Sequence, residues 1–171
     1  ADVILVSART EGQATDPRGI SLFLVPGDSE GLLRKDYPTV DGLRASEVLL
    51  ENVRVPASAL VGAEGAASQT LNTVINRGIL AISAEAVGAM AVLYQSTIDY
   101  TKQRVQFDHP LSEFQVVKHR LTEMFIEYNL AKSLCMKATM LLNQNSGDAQ
   151  RHIHALKFLI GKTSRFVGQN A

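Results

Sequence analysis

Nine apolar positions in one segment, Phe114, Val117, Leu121, Met124, Tyr128, Ala131, Cys135, Ala138 and Leu142, follow one another at alternating steps of three and four residues. A helix of 3.6 residues per turn collects such positions on one stripe, and a stripe repeating every 3.5 residues packs on partner helices with a left-handed twist. The pattern therefore predicts a bundle helix, which cannot bury its stripe alone. Asn143 to Gly147 break the pattern, and Ile153, Leu156, Leu159, Thr163, Phe166 and Asn170 predict another helix whose stripe runs to the end of the sequence. Upstream, from Glu64, Leu71, Ile75, Ile79, Ile82, Ala86, Leu93 and Tyr100 also fall at helical spacings. Small residues in the same stretch, Ala81, Ala84, Ala86, Gly88, Ala89 and Ala91, would let a neighbouring helix come close, so this helix is expected to be buried on several sides. Helices of this kind usually close in pairs, and a fourth is expected beyond these three.

The first third of the chain has another period. Val3 to Ala8, Ile20 to Val25, Leu32 to Tyr37 and Ser46 to Val55 are short β-branched or aliphatic runs. They read as antiparallel strands. Turn formers, Asp16-Pro17-Arg18-Gly19 and Pro26-Gly27-Asp28 among them, separate the runs. The Ser46 to Val55 run carries apolar residues on both faces and is expected between two partner strands, with Pro56 ending it. The fold class is thus α+β, mainly α: an antiparallel β segment followed by an up-down helical bundle, three helices of an expected four. The change of period divides the chain into residues 1–62 and 63–171.

Composition narrows the function. Lys+Arg 17 against Asp+Glu 17 leaves no net charge, unlike the basic excess of most nucleic-acid or membrane-surface binders. No uninterrupted apolar run approaches the roughly 20 residues that span a bilayer. The single cysteine, Cys135, excludes an internal disulfide framework and favours a reducing compartment; with four scattered histidines it offers no metal site. Charge is uneven, however: residues 1–100 hold 7 basic and 12 acidic side chains, residues 101–171 hold 10 and 5. A basic segment facing an anion would suit that asymmetry, as would solvated faces alone. The chain opens at Ala1 without a methionine and closes inside a helical repeat, so truncation at both ends is expected.

No GxGxxG, P-loop, GxSxG elbow or zinc-binding histidine pair occurs. Candidate chemistry concentrates in the connection Tyr100 to Gln115. Lys102 and Arg104 end a long helix, where cations complement the dipole. Ser112 and Gln115 have capping-box spacing, with Pro110 restricting the approach.

The run Gln103-Arg104-Val105-Gln106-Phe107-Asp108-His109-Pro110-Leu111-Ser112-Glu113-Phe114-Gln115, followed by Leu121-Thr122-Glu123-Met124, resembles a signature of flavin-dependent acyl-CoA dehydrogenases. Glu51 to Pro56 is similar to the last β-domain strand of that family, and Val61 to Gly65 to the lead-in of its first C-terminal helix. Ala84 to Met90 and Gly161 to Gln169 resemble a bacterial branch, the small subunits of pimeloyl-CoA-type dehydrogenases. The resemblance implies that 1–62 is the C-terminal part of a middle β-domain and 63–171 a truncated C-terminal helical domain. It implies FAD as cofactor, with Arg104 and Gln115 contacting the FAD of a neighbouring subunit and Phe107 walling the cofactor.

It also implies an acyl-CoA substrate oxidised to a trans-2-enoyl-CoA, and electron-transfer flavoprotein or a similar acceptor. A homo- or heterotetramer in a bacterial cytoplasm completes the expectation. Asp108 stands where the family has glycine, a less permissive residue if φ is positive. The base of most members lies in a region expected beyond Ala171, and these residues alone are not expected to turn over substrate. Counting back from Gly88 puts the alternative base position on Gly78 and the usual arginine on Ile79. That leaves Glu85 as a candidate carboxylate and Arg77 as a candidate substrate contact. Two other functions stay open: a non-catalytic partner subunit of a heteromeric dehydrogenase, and a flavin oxidase or monooxygenase of the same fold.

Overall fold

The computed structural model describes residues 2–171; Ala1 lies outside them. The chain divides into two compact units, one up to Thr73 and one from Val74 to Ala171.

In the first unit, β1 (Val3–Arg9) pairs antiparallel with β2 (Ile20–Pro26), and β2 pairs with the short β5 (Leu60–Val61). The strand ends and antiparallel pairing match the sequence pattern within a residue. Ser21, Leu22 and Val25 of β2 are buried, and because side chains alternate, Ser21 and Val25 lie on one face and Leu22 on the other. The β1–β2 loop is tied by one side chain: the Arg9 guanidinium donates to the carbonyls of Glu11, Ala14, Asp16 and Arg18 at 3.2, 3.3, 2.9 and 2.8 Å. Ser21, fully buried, bonds Thr10 Oγ1 and accepts the Gly65 N–H, each at 2.8 Å, so it satisfies polar groups that the sheet would otherwise strand. Gly19 closes this loop at φ +89, where a Cβ would lie 2.2 Å from the Glu11 carbonyl oxygen; only glycine fits.

The other two long strands, β3 (Leu32–Pro38) and β4 (Arg44–Leu50), make a separate antiparallel ribbon. Here the structure departs from the pattern. β4 has one partner rather than two and stops at Leu50, because Asn52 turns to φ +54 and takes the chain out of the extended region. An open groove of about 670 Å³ runs along Val6, Phe23, Val25, Leu50 and Val53.

Three helices follow: α1 (Ala67–Gln103), α2 (Gln115–Asn143) and α3 (Ala149–Asn170). The eight seam positions within α2 are all buried or half-buried, with Met124, Ala131, Cys135 and Ala138 buried, and Phe114, the ninth, precedes the helix as its N-cap. On α3, Ile153, Leu156, Thr163 and Val167 have no exposed surface. Ala131 and Ala138 belong to the core these helices share, and such short side chains let two backbones approach. α1 joins the second unit differently, through rings: Tyr94 stacks on Tyr128 at 6.3 Å and tilts against Phe125 at 5.9 Å.

The expectation that α1 is buried on several sides is not met. Leu80, Ser83, Met90 and Thr101 are buried beyond Thr73, while Val74, Ile82 and Val92 stand 59–66% exposed. A Cβ on Gly88 would touch nothing within 4 Å, and of the small residues Ala86 packs against the core. By length and composition alone α1 is long and apolar enough to cross a membrane, although no single uninterrupted run is, because Ala, Val, Ile and Leu dominate a window with at most two charges.

Candidate functional site

The connection from α1 to α2 is a tight, fully described structure. Arg104 ends α1 by donating its N–H to the Tyr100 carbonyl at 2.9 Å, and its own carbonyl accepts the Leu111 N–H at 2.8 Å. Between them β6 (Val105–Gln106) and β7 (His109–Pro110) form a two-residue hairpin. Its central residues Phe107 and Asp108 have φ +54 and +64. Positive φ at both positions is the signature of a type I′ turn, whose twist matches that of the strands. The departure from glycine at 108 therefore does not open the loop. Asp tolerates the left-handed region better than most residues, and Phe107 carries the larger strain.

That strained backbone holds the Phe107 ring out in solvent, 87% exposed, with only its edge against Phe114 at 6.4 Å and 80°. A large aromatic displayed this way is a ready contact surface. The Arg104 guanidinium is exposed and makes no hydrogen bond or ion pair to any described residue. At the base of the hairpin, His109 Nδ1 meets Glu113 Oε2 at 3.0 Å.

Gln115 is not part of a capping box. Leu111–Glu113 form a 3-10 turn, α2 begins at Gln115 with Phe114 as its N-cap, and no side chain caps it. The Phe114 carbonyl instead accepts the N–H groups of Val117 and Lys118 at 3.0 Å each. The exposed Gln115 amide is thereby left for another partner.

Arg104, Phe107 and Gln115 thus share one connection. Arg77 and Glu85 do not: both are exposed on α1, and Glu85 stands about 27 Å along the helix axis from Gln103. Neither makes a hydrogen bond or ion pair to a described residue. Burial pushes the Cys135 thiol up from its ordinary value, which suits a packing residue rather than a nucleophile. Among the described residues no group of three or more His, Cys, Asp and Glu could hold a metal. The His109–Glu113 pair was legible only as two polar residues four apart; nothing in the sequence marked it.

The profile of the acyl-CoA dehydrogenase C-terminal domain matches residues 64–171. The chain belongs to the acyl-CoA dehydrogenase family. It is 31% identical over 172 residues to a probable acyl-CoA dehydrogenase, YngJ, of Bacillus subtilis, covering 99% of this chain and 45% of that protein. Among solved structures, the acyl-CoA dehydrogenase of Geobacillus kaustophilus superposes with a TM-score of 0.86 at 29% identity, over 99% of this chain and 45% of that one. PigA with FAD and proline superposes with a TM-score of 0.90 at 25% identity, with the same coverage. The chain therefore spans about half the length of these relatives. The residues at the α1–α2 connection fit a dinucleotide: a permanent cation, unpaired among the described residues, suits a diphosphate, an exposed amide can donate to it, and an exposed ring can lie against a cofactor's planar parts.

Proposed function

We propose that this chain is the part of a flavin-dependent acyl-CoA dehydrogenase that grips the FAD of a neighbouring subunit. The observation that carries this reading is the Arg104 guanidinium, displayed without a partner among the described residues beside a strained hairpin. In this reading residues 1–62 are the end of the middle β-domain and 63–171 the C-terminal helical domain, with α1 a bundle helix rather than a membrane span. The single cysteine suits a bacterial cytoplasm.

Arg104 holds the diphosphate by forked, charge-assisted hydrogen bonds, Gln115 donates its side-chain amide, and Phe107 shields one side from water. FAD, when bound, supplies the hydride acceptor for the β-hydrogen of the acyl thioester. The α-proton needs a carboxylate base, and hydrogen bonds to the thioester oxygen stabilise the charge that develops there. On this chain Glu85 and Arg77 are the candidates for the acyl side; a Glu85→Gln enzyme that keeps its full rate removes Glu85. Electrons leave to electron-transfer flavoprotein or a similar acceptor, and the assembly is a homo- or heterotetramer.

The test uses the intact protein. Anaerobic mixing with an acyl-CoA should bleach the flavin and release a trans-2-enoyl-CoA. Arg104→Ala should lose flavin on dialysis while melting at the temperature of the parent. Full flavin content in that variant overturns the assignment. The likeness to PigA supports a second reading, a flavin enzyme of the same fold with another substrate, and a flavin that no acyl-CoA reduces would favour it.

A further inference from the structure

Resting on the assignment of Arg104 to a diphosphate, we propose that His109 is a second contact for that anion and that Glu113 is an internal rival holding its place. The hairpin register decides which side chains share a face. Val105 lies opposite Pro110 and Gln106 opposite His109, and just before β6 the Arg104 carbonyl accepts the Leu111 N–H at 2.8 Å. Side chains alternate along a strand, so Gln106 and His109 project from one face and Val105 and Pro110 from the other. That bond ties the Arg104 backbone to a residue two positions beyond His109, a separation that long side chains bridge. A two-residue turn with positive φ at both Phe107 and Asp108 leaves this register no room to slip.

On that face one acceptor is already seated. Glu113 Oε2 lies 3.0 Å from His109 Nδ1, with the two side chains 57% and 63% exposed. An anion placed on an exposed imidazole, on the hairpin that Arg104 leads into with a guanidinium unpaired among the described residues, marks where a phosphate oxygen would find two donors. Gln106 takes no part, because its amide donates to the adjacent Val105 carbonyl at 2.8 Å. Lys102, in the last turn of α1, adds a positive charge to the approach, and Asp108 in the turn a negative one. A phosphate that bonds His109 has to displace the Glu113 carboxylate. His109 and Glu113 therefore act on binding with opposite signs.

The experiment titrates FAD into the intact apoprotein at pH 7 and fixed ionic strength, reading the change in flavin fluorescence. His109→Gln should weaken binding by about two- to five-fold, the range of an exposed charge-assisted contact. Glu113→Gln should tighten it by about two-fold, since a competing anion is gone. With His109→Gln in the background, Glu113→Gln should lose that effect, because a rival matters only while its contact exists. Arg104→Ala is the control for the reading beneath: if it leaves the dissociation constant unchanged, the diphosphate is not held here and that reading fails. If Arg104→Ala weakens binding but the two single variants change nothing, or move it in the same direction, the inference alone is overturned. His109→Asn and melting curves guard against misfolding, and a variant that melts with the parent yet binds as tightly also overturns it.

Discussion

The α2–α3 pair and the β3–β4 ribbon are both antiparallel and both rich in aliphatic residues, yet one buries them and the other does not. In the helical pair Met124, Ile153, Leu156 and Val167 have at most 1% of their surface exposed, whereas Leu33, Val48, Leu49 and Leu50 in the ribbon keep 40–58%. The difference lies in what each pattern requires. A seam repeating every 3.5 residues points at one line in space, and α3 supplies it. β4 places Val48, Leu49 and Leu50 in succession, so apolar groups leave both faces of a two-stranded sheet that can offer cover to neither.

The comparison breaks most readily at Leu156. Leu156→Ala should cost about 2–5 kcal/mol, the combined loss of transfer energy and the cavity left in a packed seam, seen as a lower urea midpoint in helical circular dichroism. A cost under 1 kcal/mol would mean that the helical pair is no better packed than the ribbon. Ser21→Ala comes next, at about 1–3 kcal/mol, because it strands the Gly65 N–H in a buried site. Hydrogen exchange at Gly65 reports it directly; continued slow exchange would show that another acceptor takes over.

A smaller effect, of opposite sign, is expected in the other hairpin. Asp108→Gly should stabilise the protein by up to about 1 kcal/mol by relieving the left-handed backbone, measured as a raised melting temperature. Destabilisation would mean that the Asp108 side chain supports the turn. Smallest of all, Leu49→Ser should shift stability by no more than about 0.5 kcal/mol, as a surface change does. A loss several times larger, in the intact protein, would reveal that its other parts cover the ribbon.

How far the sequence carried this picture depends on the range of the forces involved. The strands from Val3 and Ile20, the α2 seam and the breaks at Asn143 to Gly147 were legible because periodicity and turn chemistry act within a few residues. Ile160 and Val167, both buried on α3, fell outside the predicted stripe since a real interface is wider than one line of residues. The capping box failed for a local reason: the 3-10 turn at Leu111–Glu113 moves the helix start, and spacing alone cannot separate the two.

By itself the sequence determined the change from strand to helix, the seam that demands a partner helix, and the motif around Arg104 that carries the family resemblance. Each is a matter of residue type at short spacing, where sterics and hydrophobic period leave few alternatives. Only the tertiary structure decided that α1 stands largely open, that β4 has a single partner, and that Phe107 and Asp108 both adopt positive φ to set His109 across from Gln106. Those outcomes depend on which distant surfaces meet and on how a hairpin trades backbone strain for register, and neither quantity is written in any short stretch of residues.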